Sequence, residues 1–328
     1  MTLVDHRDAI TLTTVPAGPL DHPAIADFLA TTEGLGGRKF ASDSRDVAEH
    51  LDGVYPDGVT VVRDATGTVR GYALLRRPHD DEVGADFVFG REVPARIVSG
   101  VVETTVDRFH AETGGSAFLR AIIGTDQQPA IDALTRQGAW REAEFIRTRK
   151  PLAGEDVSDL GAAGVPGVTV LSWAEVVDRG LGESVRRVQF DTFAEHFGNM
   201  SKSPEAFRRH VQSRSFTPDF SLAAVDDGTG EVVGYVLGST FTAGAAPADE
   251  RSAHTDYIGV RRDHRKRGIG ELLLRRIWLA ALRRGLTAAS LGTDIRNRSN
   301  AHLLYERLGY VAVQSQYAYR IDPVQEKP

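Results

Sequence analysis

The chain has 328 residues, 41 % of them hydrophobic and 26 % charged, with a formal net charge of −6 and no cysteine. This length exceeds what a single core normally serves, so two domains of roughly 150 residues are expected, and the missing thiols exclude disulfide frameworks, thiolate metal sites and cysteine nucleophiles. Residues 1–167 carry 17 basic and 26 acidic side chains against 22 and 19 in 168–328, which fits a local anion site in the second half and not the broad basic face of a nucleic-acid binder.

Along the chain, Met1–Asp8 alternates charge with apolar residues, and no segment reaches signal-peptide or membrane-span character. A cytoplasmic protein without membrane association is the expectation. Asp64–Leu74 reads as strand, Thr-Gly turn and strand, a hairpin. His79-Asp-Asp-Glu82 reads as a solvated loop, since its order matches no standard ligand set; no metal is expected. Residues 151–167, rich in Gly, Pro, Ala and acids, read as a linker between domains at 1–150 and 168–328. Beyond it the periodicity predicts helices over 173–187 and 203–214 and a hairpin of strands near 220–226 and 231–241. A strand at 254–260, a helix over 269–284 stopping at Gly285, a strand at 287–292, a helix at 298–308 and a strand near 310–320 follow.

The two halves repeat one another. Asp64–Leu74 matches Asp227–Leu237 at seven of eleven positions without a gap. Ala121–Asp126 mirrors Ala289–Asp294, and Ala130–Gly138 mirrors Ala301–Gly309, in the same order. The chain is therefore expected to be a tandem repeat of one α/β domain with a mixed sheet.

The most specific stretch is Tyr257–Leu282. An apolar strand ending in Ile258, Gly259 and Val260 runs into a basic turn, Arg265-Lys266-Arg267-Gly268-Ile269-Gly270. The turn opens a helix with an apolar stripe of Leu273, Leu274, Ile277, Trp278, Ala281 and Leu282. A helix start with outward N–H groups, a positive dipole end and glycines suits a diphosphate. It is not a Walker P-loop or a dinucleotide fingerprint. Arg265-x-x-Gly268-x-Gly270 after Val260 resembles the acetyl-coenzyme A signature of the GCN5-related N-acetyltransferase (GNAT) superfamily. Asn297, Asn300, Ala301, Leu304-Tyr305 and Leu308-Gly309-Tyr310 resemble its second motif, in the right order and distance. The resemblance implies two tandem GNAT-like acyl-CoA N-acyltransferase domains, arranged as in two-domain members such as mycothiol synthase. It implies acetyl-CoA as donor and direct attack by an amine in a ternary complex, with Tyr305 protonating the departing thiolate.

For the base, His254, six residues before Val260, is the first candidate, with an ordinary pKa near 6.5. Asp256 shares its strand face and is read as its orienter, a proton relay or a seat for the acceptor's cation. Glu195 and His196 lie in a region that borders the acceptor in the superfamily and are expected to contact it. Aligning the halves places Pro94 opposite Gly268, Arg96 opposite Gly270 and Leu134 opposite Tyr305. The first half thus reads as a degenerate copy that lost the coenzyme site and helps to wall the acceptor groove. The expected function is acetylation of a small-molecule primary amine by a monomer or homodimer. Acetylation of a protein or peptide, and a non-catalytic acyl-CoA sensor, are the alternatives.

Overall fold

The computed structural model describes residues 2–4, 11–29, 43–78, 81–194, 201–242, 251–295 and 300–323. In chain order the elements begin β1 (Thr2–Val4), β2 (Thr11–Pro16), α1 (His22–Leu29), α2 (Ser44–His50), β3 (Val54–Arg63), β4 (Val69–Arg76) and β5 (Glu82–Phe89). Next come α3 (Ala95–Thr113), β6 (Phe118–Gly124), α4 (Gln128–Arg136), β7 (Trp140–Pro151), α5 (Val157–Ala162), β8 (Val168–Ser172) and α6 (Trp173–Asp178). The rest are α7 (Gly182–Phe193), α8 (Pro204–Gln212), β9 (Leu222–Asp226), β10 (Val232–Thr242), β11 (Arg251–Val260), α9 (Ile269–Arg283), β12 (Ala288–Asp294), α10 (Ala301–Arg307) and β13 (Val311–Ile321).

Two compact units emerge. Among the described residues, the first takes those up to Phe145 together with those from Gln314 on, and the second those from Ile146 to Val313. The first unit orders its strands β1-β2-β3-β4-β5-β6-β13 and the second β7-β12-β11-β10-β9-β8. Each sheet is mixed: β5 and β6 pair in parallel in the first, and β11 and β12 do so in the second. Each also has a core on both faces. In the first unit α3 and α4 cover one side through Val98, Val102, Phe109 and Leu134, while α1 and α2 cover the other through Ile25, Phe28 and Val47. In the second, α9 buries Leu273, Ile277 and Trp278, and α6, α7 and α8 bury Val176, Val188 and Phe207 opposite. The repeat read from sequence is thus a repeat of structure. It extends to the turns: Gly138 and Gly309 both adopt φ +84°, and Ala139 N–H bonds Leu134 O as Tyr310 N–H bonds Tyr305 O, each at 3.0 Å.

The structure divides the chain differently from the sequence reading in three places. Residues 151–167, expected as a linker, include α5, whose N-cap Asp156 accepts from Ser158 N and Asp159 N. Leu152 and Leu160 are each 1 % exposed in the α9 core, so two leucines anchor the stretch. The last strand, expected in the second domain, pairs antiparallel with β6 from Gln316↔Gly124 to Ile321↔Leu119. In return the end of β7 joins the second unit, where Thr148 Oγ1 donates to Leu291 O at 3.2 Å. The helix expected over 173–187 breaks at Gly180, which turns left-handed at φ +67° and separates α6 from α7.

Candidate active site

The turn before α9 has the geometry of an anion cradle. Lys266 and Gly268 both have positive φ, +63° and +85°, so the chain turns sharply into α9. The first helical bond is Leu272 N–H to Gly268 O, so the N–H groups just before it point out of the helix end. Gly268 needs its lack of a side chain for its φ. At Gly270 a Cβ would meet nothing nearer than Leu304 and Val260 at 3.9 Å, so the space beside this glycine is unfilled. Arg265 Nε donates to Val260 O at 3.0 Å, tying turn to strand, while Arg267 lies 3.8 Å from Asp226.

The strand leading into the cradle is splayed. β11 and β12 pair in parallel only from Ser252↔Ala288 to Thr255↔Leu291, and beyond that point β11 continues through Ile258, Gly259 and Val260 alongside β10 alone. The β10 register slips at this place: Leu237 faces Tyr257 and Gly238 faces Thr255, which leaves Asp256 as the extra residue of a bulge. Bulges re-aim side chains. Gly238 makes this one possible, since a Cβ on it would meet Phe220 O at 2.6 Å and His254 O at 2.8 Å. A Cβ on Gly259 would run into the Thr192 side chain and into Tyr235 at 2.7 Å.

Around the bulge sit His254, Asp256 and His210, whose side chains are 14 %, 16 % and 15 % exposed. Ser239 Oγ donates to Asp256 Oδ1 at 2.8 Å, His254 Nε2 is 3.9 Å from Oδ1 and His210 Nε2 is 3.6 Å from Oδ2. Burial pushes the Asp256 carboxyl up to about 7, with the Ser239 hydroxyl and the Lys202 charge pulling the other way. Burial also takes His254 down to about 3, helped by the Arg147 guanidinium, and His210 to about 3, helped by Lys202. Both imidazoles are therefore neutral rings at pH 7. His254, the first candidate for the base, is a buried ring whose Nδ1 bonds Ser290 Oγ at 2.9 Å, while Asp256 is the group of the cluster shifted towards neutrality. His210, on α8, had no role in the sequence reading. A repeat signal could have found it, because His50 follows the N-cap Asp43 of α2 by the same seven positions as His210 follows Ser203, the N-cap of α8.

Tyr305 on α10 is 7 % exposed, stacks edge-on against Tyr310 at 5.9 Å, and is pushed up to about 12 by burial. It therefore keeps its proton at any physiological pH. The Tyr310 hydroxyl is held in turn by Trp278 Nε1 at 2.9 Å. Asn300 caps α10 in a left-handed conformation, φ +51°. Glu195, His196 and Asn297 lie outside the described residues, as does His79 of the acidic loop. Among the described residues no group of three or more His, Asp or Glu side chains could hold a metal ion.

Residues 185–310 match the family model described as the acetyltransferase (GNAT) family. The second half of the chain carries a GNAT domain. Over its whole length the fold is similar to a GCN5-related N-acetyltransferase from Sphaerobacter thermophilus, with TM-score 0.71, 19 % identity and coverage of 97 % of this chain and 96 % of that one. It is also similar to a tandem GNAT protein from the clavulanic acid biosynthesis pathway, with TM-score 0.64, 19 % identity and coverage of 96 % and 100 %. Saccharomyces cerevisiae N-myristoyltransferase with bound myristoyl-CoA matches at TM-score 0.58 and 11 % identity, covering 96 % of this chain and 80 % of that one. A comparison with curated protein sequences finds no match.

Set beside this GNAT domain, the first unit keeps the scaffold and changes the site. Pro94 is the N-cap of α3 where Gly268 is that of α9, so proline stands at the cradle and Arg96 occupies the position of Gly270. The Glu92 carboxylate folds under the turn, where a Cβ on Gly90 would meet it at 2.6 Å; an anion lies at the start of this helix. By register Phe89 is the counterpart of Val260, each facing the matching glycine of the neighbouring strand, Gly71 or Gly234. Phe89 has both backbone groups taken by one side chain: Gln127 Oε1 accepts its N–H at 2.9 Å and Gln127 Nε2 donates to its carbonyl at 3.0 Å. Leu134, opposite Tyr305, is fully buried.

Proposed function

We propose that the second unit transfers an acetyl group from acetyl-CoA to a primary amine of a small molecule, with no acyl-enzyme. The observation that carries this reading is the bulge that sets Asp256 beside the splayed end of β11, on the strand that feeds the Lys266–Gly270 cradle. The cradle fits the coenzyme's pyrophosphate: its N–H groups and helix dipole suit an anion, and no side chain fills the space beside Gly270. Arg265, Lys266 and Arg267 add positive charge. When bound, the coenzyme supplies a thioester carbonyl and a thiolate leaving group.

The remaining work belongs to this chain's residues. The backbone of Ile258, Gly259 and Val260, unpaired with β12, offers hydrogen bonds to the coenzyme and polarises the carbonyl. Asp256 takes a proton from the amine; a carboxyl at about 7 is half ionised at neutral pH, where a general base works best. His254, fixed on Ser290, shields the carboxyl from water. Tyr305 keeps its proton and is the donor that neutralises the departing sulfur. The first unit, with Pro94, Arg96 and Gln127 in place of the cradle and slot, binds no coenzyme in this scheme.

The test is calorimetric titration of acetyl-CoA into the whole protein, followed by free-thiol release with a panel of primary amines. One site per chain and amine-dependent release are expected. Absence of binding overturns the reading, binding without release over the whole panel makes the protein a sensor, and two sites overturn the assignment of the first unit.

A further inference from the structure

In the second unit, the stretch after α5 and the outer side of α9 border a cleft that the acetyl-transfer reading does not use. It measures about 420 Å³, within the roughly 300–1,000 Å³ of small-molecule sites. Small residues leave the room. A Cβ on Gly164 would meet nothing within 4 Å, and one on Gly161 would meet only Leu279, at 4.0 Å. The floor is aliphatic: Val168 and Val170 of the edge strand β8, Leu222 of β9, and Leu272, Leu279 and Ala280 of α9. Val168, Val170, Leu222 and Ala280 pack against the α9 core and yet stay only partly buried, because the cleft stands where further side chains would cover them. None of Arg265 to Gly270 lines it, so the cleft is separate from the cradle.

The charged groups that line this cleft are not balanced. Glu175 Oε2 accepts from Ser172 N and Ser172 Oγ, both at 2.8 Å, and its Oε1 lies 3.7 Å from Arg179. Asp219 Oδ2 lies 3.2 Å from Arg284. Both carboxylates therefore have a cation from outside the cleft. The two lining arginines, Arg276 and Arg283, have no carboxylate partner among the described residues. Arg276 donates to Gly161 O and Ala163 O, both at 2.7 Å, which fixes its guanidinium on the wall without neutralising it. Arg283, seven positions further along the same side of α9, is exposed and makes no hydrogen bond or ion pair among the described residues. We propose that this cleft binds an aliphatic monocarboxylate, with the hydrocarbon tail on the floor and the carboxylate on Arg283. The proposal goes beyond the acetyl-transfer reading and does not depend on it. A guanidinium fork matches the two oxygens of a carboxylate, and an alkyl chain gains affinity with the apolar area it covers. Glu175 and Asp219 at the same rim repel a phosphate or other polyanion.

Calorimetric titration of sodium octanoate into the whole protein, below the micelle concentration, tests this. One saturable site per chain is expected. Octanol, which lacks the charge, and acetate, which lacks the tail, should each bind at least about tenfold more weakly. Arg283→Glu should weaken octanoate by about tenfold or more, and Arg283→Lys, which keeps the charge and loses the fork, by only about threefold. Ala280→Phe, which fills the floor, should abolish binding. Should circular dichroism show that Ala280→Phe is unfolded, Arg283→Glu, a change at an exposed position, carries the test. No saturable site, equal affinity for octanol, or an unchanged affinity in Arg283→Glu overturns the proposal. Octanoate that is displaced by acetyl-CoA and indifferent to Ala280→Phe would sit in the cradle, which also overturns it. The expected octanoate binding in a protein that binds no acetyl-CoA would refute the acetyl-transfer function and leave the cleft site standing.

Discussion

Replacing Asp256 by asparagine should make the protein more stable at alkaline pH while removing its activity. The carboxyl moves from an ordinary 3.8 to about 7 on folding because burial penalises its charge. A shift of about three units, at about 1.4 kcal/mol each, makes ionised Asp256 cost the folded state about 4 kcal/mol. The sign follows from the order of the two values. Below 3.8 the group is neutral in both states and costs nothing. Between 3.8 and about 7 the unfolded chain ionises first, so stability falls as pH rises, and above about 7 the penalty is complete. Asparagine keeps the shape and accepts the Ser239 hydroxyl without charge. Urea unfolding of wild type and Asp256→Asn at pH 3.5, 5.5 and 9 should show a gap that opens across this window to a few kcal/mol in favour of the variant. A variant less stable than wild type at pH 9 would mean that the folded protein stabilises the carboxylate as an anion, and Asp256 would then be a structural ion-pair member and no base.

Gly270→Arg, which copies Arg96, should abolish acetyl-CoA binding in calorimetry, because it puts a long side chain into the helix start that is to hold the coenzyme; retained affinity would misplace the cradle. Tyr305→Phe should lower amine-dependent thiol release by about 100-fold with little change in acetyl-CoA affinity, and equal losses in both would remove it as the proton donor. Gly238→Ala should destabilise the protein by about 2 kcal/mol or more in urea unfolding, since its Cβ would meet two carbonyl oxygens at 2.6 and 2.8 Å; a neutral change would show that the bulge relaxes freely. Gln127→Ala should cost about 1–3 kcal/mol by leaving the Phe89 N–H and carbonyl without their side-chain partner, and equal urea midpoints would show that water replaces it.

The candidate cradle was legible in the sequence because it is contiguous: an apolar strand, a basic glycine turn and an amphipathic helix follow one another within about 25 residues, and Tyr305 lies in a second short motif downstream. The tandem repeat was legible for the same reason, through ungapped matches in turns that demand glycine. The candidate proton site was legible only in part: His254 and Asp256 were read from one strand, but the cluster is assembled from β10, β11 and α8, and the bulge and burial at Asp256 leave no local pattern. His254 has an ordinary imidazole pKa only as an exposed side chain; burial lowers it, and burial raises that of Asp256. His210 went unread because a lone histidine at a helix end is unremarkable until the strand it packs against is known. The reassigned last strand was invisible because alternation specifies a strand and not its partner.

The exchange of β13 has a consequence for biosynthesis. Gly124 of β6 finds its partner Gln316 close to the C-terminal end of the chain, so while the ribosome is making the second half, the edge of β6 is an open row of N–H and carbonyl groups of the kind that recruits foreign strands. Closing so long a loop is slow. Dividing the gene after codon 150 would therefore yield no pair of self-sufficient products, because each fragment would leave with a strand that completes the other's sheet.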